Sequence, residues 1–348
     1  MSESVRGTMS FLAVQSQASI EKFYTIGERL LAFQFSDEVA ARVASEFIEG
    51  MYFTPCPARA ARFVHCTVKV FNGDPPPLPS GCQTFEVPRG QCHTNGDEHF
   101  LDIDESRIAV GPPTSRLVCV WLGTSARARH QVAVVNTLSY AMQAALRRAG
   151  LYVLHSAGVV EPRTSKGLIV VGNSNSGKSS LTIRLAGAGW LYLSDDMLVL
   201  AEKNSSVEAW ALRRVFSISP ASFASSGLSG GDLALGAPVN SDPGKRKLEP
   251  HVMFPGSFVE SCRPSVLLFP TLTGEATSRV EKLSSGAAMT RLIRECPWAS
   301  YDTGTAREHL GVLGLMAKQS ISYSLFAGLD LFEDSTRAPQ LLASCLEQ

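Results

Sequence analysis

Two segments in the first half of the chain carry apolar residues at helical spacing. Residues 37–49 (DEVAARVASEFIE) read as a helix with Ser36 at its N-cap. Residues 127–149 place Val132, Val135, Leu138, Met142 and Leu146 on one helical face. Arg147 and Arg148 suit the C-terminal end of that helix, and Gly150 stops it. Between the two helices, short apolar or alternating segments at 63–71, 84–87, 106–110 and 116–122 read as strands. Turn-rich pieces such as GDPPPLPSG at 73–81 separate them. This half is expected to be a smaller α+β domain, residues 1–150, with a mainly antiparallel sheet.

The second half, 151–348, opens with strand-like YVLHSAGVV and GLIVVG. A glycine loop, a helix and the strand-like segments LYLS and MLVLA follow. Residues 219–250 are rich in Ser, Gly and Pro and are expected to form long loops. Strands are expected at 265–269, 279–283 and 321–326, and helices at 285–295 and 305–318. Such a mixture predicts an α/β layer.

Composition narrows the function classes. Of 348 residues 45% are hydrophobic and 18% charged, enough for a sizeable core and unlike a disordered chain. Lys plus Arg and Asp plus Glu are 32 each. That balance argues against general nucleic-acid binding, which needs surplus cations to displace counterions. None of the eight cysteines has C-x-x-C spacing, so scattered thiols read as small buried hydrophobes. Cys82, Cys92, His93 and His99 lie near one another but fit no zinc spacing. The first residues lack the basic-then-apolar pattern of a secretory signal, and no apolar run is long enough for a bilayer. A cytoplasmic protein without membrane partners is the expectation.

The chemistry starts at Gly172-Asn173-Ser174-Asn175-Ser176-Gly177-Lys178-Ser179, which fits the P-loop pattern G-x-x-x-x-G-K-[ST]. Gly172 and Gly177 permit backbone angles that turn amide N–H groups around an anion. The helix that follows adds unpaired N–H groups and a positive dipole end, and the loop 172–180, Ser180 included, is expected to bind the nucleotide triphosphate. Lys178 can reach the outer phosphates of ATP, and the Ser179 hydroxyl can ligate Mg²⁺. The apolar run 168–171 before the loop and SSLTIRLAGA after it supply the strand–loop–helix setting this motif requires.

Two carboxylates return to the loop. The helix over 178–188 spans about 16 Å, and a strand over 190–194 runs back about 17 Å. A right-handed βαβ crossover then brings Asp195-Asp196 beside the phosphates. One acid can hold Mg²⁺ through water while the other takes a proton from an attacking hydroxyl. If 156–160 and 167–171 pair as a hairpin, His155 lies near Gly172, where it can polarise phosphate or orient the base.

The stretch LHSAGVV…GLIVVGNSNSGKSSLTIRLAGAGWLYLSDD resembles the catalytic core of HPr kinase/phosphorylase and its relatives, which share a fold with phosphoenolpyruvate carboxykinase. Three marks carry the resemblance: the His opening the strand before the loop, the loop itself, and an Asp pair one helix and one strand later. The resemblance implies a PEP-carboxykinase-like P-loop domain. It makes Asp196 the general base, puts Asp195 near the metal with Ser179, and keeps His155 close to both. The family's E-x-R-G-x-G segment has no counterpart between 199 and 260, which points away from HPr as substrate. The chain is more similar to HPr-kinase-like proteins, including those of peptide natural-product clusters.

Kinases of this type benefit from another cation on the transferred phosphate. Lys245, Arg246 and Lys247 supply candidates, and Arg213–Arg214 a second pair. The resulting expectation is an ATP- and Mg²⁺-dependent kinase acting on a hydroxyl of a peptide, a protein Ser/Thr or a small molecule. Residues 1–150 recognise substrate or a partner, or form a homo-oligomer contact. The alternative is an ATP-binding regulatory or assembly module that transfers nothing. A carboxykinase is disfavoured because the Mn²⁺-binding His/Lys set is missing.

Overall fold

The computed structural model describes residues 20–57, 63–87, 89–123, 131–224, 235–239, 242–296 and 301–347. The chain is a mixed α/β protein with two large, partly parallel sheets and a small antiparallel one. It divides into two compact units. One holds residues 1–48 and 54–149, the other 49–53 and 150–348.

The first unit contains β1 (Ile20–Ile26), β2 (Arg29–Phe35), α1 (Glu38–Glu49), β3 (Thr54–Cys56), β4 (Cys66–Asn72), β5 (Gln83–Val87), β6 (Gly90–Asn95), β7 (Glu98–Ile103), β8 (Ser106–Val110), β9 (Leu117–Leu122) and α2 (Gln131–Arg148). Its nine strands run in the order β3-β1-β2-β4-β9-β8-β7-β6-β5. The β2–β4 and β4–β9 pairings are parallel and the rest antiparallel. Helix α2 packs on β4, β8 and β9. The cap of α1 is Asp37, not Ser36: its Oδ1 accepts from the Ala40 N–H at 2.8 Å, while the Ser36 hydroxyl accepts from the Asn72 N–H. Nδ1 of buried His93 meets the Thr84 hydroxyl at 2.8 Å, and its Nε2 stands 3.4 Å from an Asp102 carboxylate oxygen. Among the described residues no group of three or more His/Cys/Asp/Glu could hold a metal ion, and none of the eight cysteines forms a disulfide.

The second unit begins with β10 (Tyr152–Glu161), β11 (Lys166–Val171), α3 (Lys178–Gly187), β12 (Leu191–Ser194), β13 (Met197–Lys203), β14 (Ser206–Ala211) and β15 (Phe216–Ile218). It continues with α4 (Pro220–Ala224), β16 (Leu235–Val239), β17 (Asp242–Leu248), α5 (Pro250–Met253), β18 (Ser261–Cys262) and β19 (Pro264–Leu272). It closes with β20 (Arg279–Leu283), α6 (Ser285–Arg294), α7 (Thr303–Gln319), β21 (Ile321–Ala327), α8 (Asp330–Glu333) and α9 (Arg337–Leu346). The main sheet runs β18-β14-β13-β10-β11-β19-β21-β20, with β12 also on β10.

The run Leu168-Ile169-Val170-Val171 is continuously apolar because both faces of β11 are covered. Leu168 and Val170 enter one core with Leu181, Leu185 and Leu342. Ile169 and Val171 enter another with Leu292, Leu313 and Met316. The segment 219–250, expected to be loops, instead holds α4 and the hairpin β16–β17, which pairs with β15. Its Ser/Gly/Pro-rich composition hides this ladder, since backbone pairing does not need an apolar pattern where both faces are wet. Among the described residues no helix is long and apolar enough to cross a membrane.

Candidate functional site

Strand β11 pairs antiparallel with β10 on one side and parallel with β19 on the other. Such a change of direction leaves a crevice at the carboxyl end of the strand, the usual ligand position in open α/β sheets. The glycine loop begins there. Gly177 adopts φ 92 as N-cap of α3 and Asn175 adopts φ 66. A Cβ on Gly172 would stand 2.9 Å from the Ser176 hydroxyl, so this cradle has no space for a side chain.

Lys178 is folded back over the loop. Its Nζ donates to the carbonyls of Gly172 at 2.6 Å and Asn173 at 2.9 Å. Burial lowers the lysine pKa from its usual value, opposed by the nearby carboxylates of Asp196, Glu295 and Asp195.

The acids arrive by a broken strand. LYLS and MLVLA do not form a hairpin; β12 and β13 follow each other along the same edge of β10. Gly158 pairs with Ser194, and His155 pairs with Met197. Between these pairings Asp195 and Asp196 leave the ladder, beside the end of β11, where Ser156 pairs with Val171. The return strand therefore lies one strand away from β11, with β10 between them.

The two carboxylates have opposite surroundings. Asp195 is fully buried. Its Oδ2 accepts from the Ser217 N–H at 3.0 Å, while Oδ1 has no hydrogen-bond partner. Burial and then the neighbouring Asp196 charge raise its pKa. Asp196 lies with Oδ1 at 2.9 Å from His155 Nε2 and Oδ2 at 3.5 Å from an Arg213 guanidinium nitrogen. Burial works to raise its pKa, but His155, Arg213 and Lys178 outweigh it and hold the carboxyl well below the usual range. Two neighbouring acids driven apart in this way can serve different chemical roles. His155 is raised by its contacts to Asp196 and then Glu295, whose Oε2 stands 3.5 Å from Nδ1.

Of these groups His155 and Asp196 border a cavity of about 300 Å³, whereas Asp195, Arg213 and Glu295 do not line it. His155, Lys178, Ser179, Ser180 and Asp196 line it with Ser174, Asn175 and Gly177. Leu272 and Phe332 add apolar wall, because β19 and β21 run parallel to β11 and end on the same side. Ser217, Ser219, Ser222 and Lys245 close the remainder.

Of the three loop cations, Lys245 alone borders the cavity; Arg246 and Lys247 are exposed on β17 and do not. Gly172, Asn173 and Ser176 shape the loop rather than line the space: the first two hold Lys178, and the Ser176 hydroxyl is buried without a partner. Arg213 faces Asp196, and Arg214 stacks over Tyr52. Sequence reasoning missed Glu295 altogether. The one available signal was an acid placed just after the basic last turn of α6.

The residues present fit a divalent cation. The Asp195 carboxylate, with one oxygen unpartnered and buried, interacts with the Ser179 hydroxyl, and a hard cation takes oxygen donors of this kind. No protein-family model matches this chain, and no curated protein matches it at a significant level.

Proposed function

We propose that the chain is an ATP- and Mg²⁺-dependent kinase that phosphorylates a hydroxyl of a peptide, protein or small molecule. We further propose that its second unit is a PEP-carboxykinase-like P-loop domain related to HPr kinase. One observation carries this reading: a P-loop lysine, a P-loop serine and Asp196 paired with a histidine border one cavity, and the buried Asp195 lies behind them against Ser179. An antiparallel neighbour beside the P-loop strand and an acid pair directly following the strand after the P-loop helix support the fold assignment.

In this mechanism the loop amides and the α3 N-terminus bind the phosphates. Asp196 takes the proton of the acceptor hydroxyl as its oxygen bonds to the terminal phosphorus. The bond from that phosphorus to the bridging oxygen breaks, and ADP departs. Lys178 and Lys245 balance the charge on the phosphate oxygens. Ser179 and Asp195 would hold Mg²⁺, which when bound neutralises phosphate charge. The first unit is assigned to acceptor recognition or self-association.

The test is incubation with γ-labelled ATP and candidate peptides or metabolites, with mass analysis for one added phosphoryl group. The wild-type chain should label an acceptor, and Asp196→Asn should bind ATP while losing transfer by at least about 10²-fold. A second reading draws on one feature: both oxygens of Asp196 already face cations. An ATP-binding module that transfers nothing would also have this arrangement. Retained ATP binding with no product from any acceptor, in wild type and variant alike, would favour it.

A further inference from the structure

Acids from two different elements hold His155. Nε2 faces Asp196, in the break between β12 and β13, at 2.9 Å, and Nδ1 faces Glu295 at 3.5 Å. Glu295 is the residue that caps the C-terminal end of α6. A carboxylate at that end meets the negative pole of the helix, where cations are favoured. The last turn follows the rule with Arg291 and Arg294, and Glu295 breaks it. Its side chain is also only 10% exposed, so its charge has lost most of its water. A residue that violates local electrostatics while its charge faces a candidate catalytic histidine marks a functional constraint. Lys178 from α3 also acts on the ring and opposes protonation, and Arg213 faces the far oxygen of Asp196.

We propose that Glu295 is a positioning residue. Its carboxylate fixes the Nδ1 side of the ring and favours the doubly protonated imidazolium, so that Nε2–H points at Asp196 and holds that base in place. The assignment rests on the kinase reading only for its effect on turnover. Glu295 does not line the cavity, so it acts through His155 and not on ATP.

The test is an NMR titration of the histidine rings in the full chain without nucleotide, with the His155 signal assigned by its loss in His155→Gln. Glu295→Gln should lower the His155 midpoint by about one pH unit. Glu295→Asp keeps the charge but withdraws it; it should lower the midpoint by less, and it stands in should the glutamine variant not fold. In transfer assays Glu295→Gln should lose kcat at a lower pH than wild type, with KM for ATP unchanged to within about twofold. An unchanged midpoint in the folded variants overturns the assignment. The midpoint is read without ATP. A chain that shows the drop but transfers no phosphate therefore keeps this assignment and loses the kinase reading.

Discussion

Oδ1 of Asp196 lies 2.9 Å from Nε2 of His155, in the gap where β10 changes partner from β13 to β12. A strand that stayed paired would send alternate side chains to opposite faces of the sheet. The break frees two consecutive acids to leave the ladder at the same crevice.

The contact predicts how stability depends on pH. His155 is raised above its ordinary value of about 6.5. Its stabilising contribution is therefore complete below that value and is lost as pH rises through the folded value. Asp196 is depressed, so its contribution is present above about pH 4 and is lost as pH falls through the lower folded value. Urea unfolding of His155→Gln against wild type should show the largest deficit near pH 5.5 and a smaller one near pH 9. A deficit that grows toward pH 9 would contradict the ion pair.

Asp195 is buried beside a like charge. Asp195→Asn removes that repulsion yet keeps an acceptor for the Ser217 N–H. The ligand-free variant should melt a few degrees higher, of the order of 1 kcal/mol. Added Mg²⁺ should no longer increase the melting shift produced by ATP. Calorimetric scans with ATP, with and without Mg²⁺, measure both effects.

Gly177 holds φ 92, and a Cβ there would stand 3.3 Å from Leu272 Cδ2. Gly177→Ala should cost about 1–2 kcal/mol of folding stability. It should also weaken ATP binding more than Gly189→Ala does, although Gly189 likewise has positive φ, because Gly189 meets open space away from the loop. Denaturant midpoints and ATP titrations of both variants separate the two effects.

Lys245 borders the cavity, whereas Arg246 alternates away from it on β17. Lys245→Ala should raise KM for ATP or lower kcat about tenfold, and Arg246→Ala should leave both unchanged. Equal effects from the two would remove β17 from the phosphate site.

Much of this site is legible locally. The continuous apolar run 168–171 requires a strand covered on both faces, and the loop glycines with Lys178 and Ser179 fit the P-loop pattern without reference to the rest of the chain. The pairing of β10 with β11 follows from two apolar runs and a short turn, and it is this pairing that puts His155 at the loop. Glu295 could not be read this way: it reaches His155 from a distant element, and its own neighbourhood does not encode that meeting. Arg213 stood among the candidate cations, but that its partner is the Asp196 carboxylate could not be read. The hairpin β16–β17 was hidden for a different reason: its polar residues carry no alternation, yet its backbone groups still need partners.

The sequence by itself determined the glycine loop, the helix behind it and the two strands that set His155 beside it, because each depends on spacing within a few turns of chain. Only the tertiary structure decided that Asp195 and Asp196 leave a broken ladder in different environments, which cation approaches the cavity, and which acid restrains the imidazole. Those outcomes depend on burial and on charges brought together from separate elements, and local patterning does not specify either.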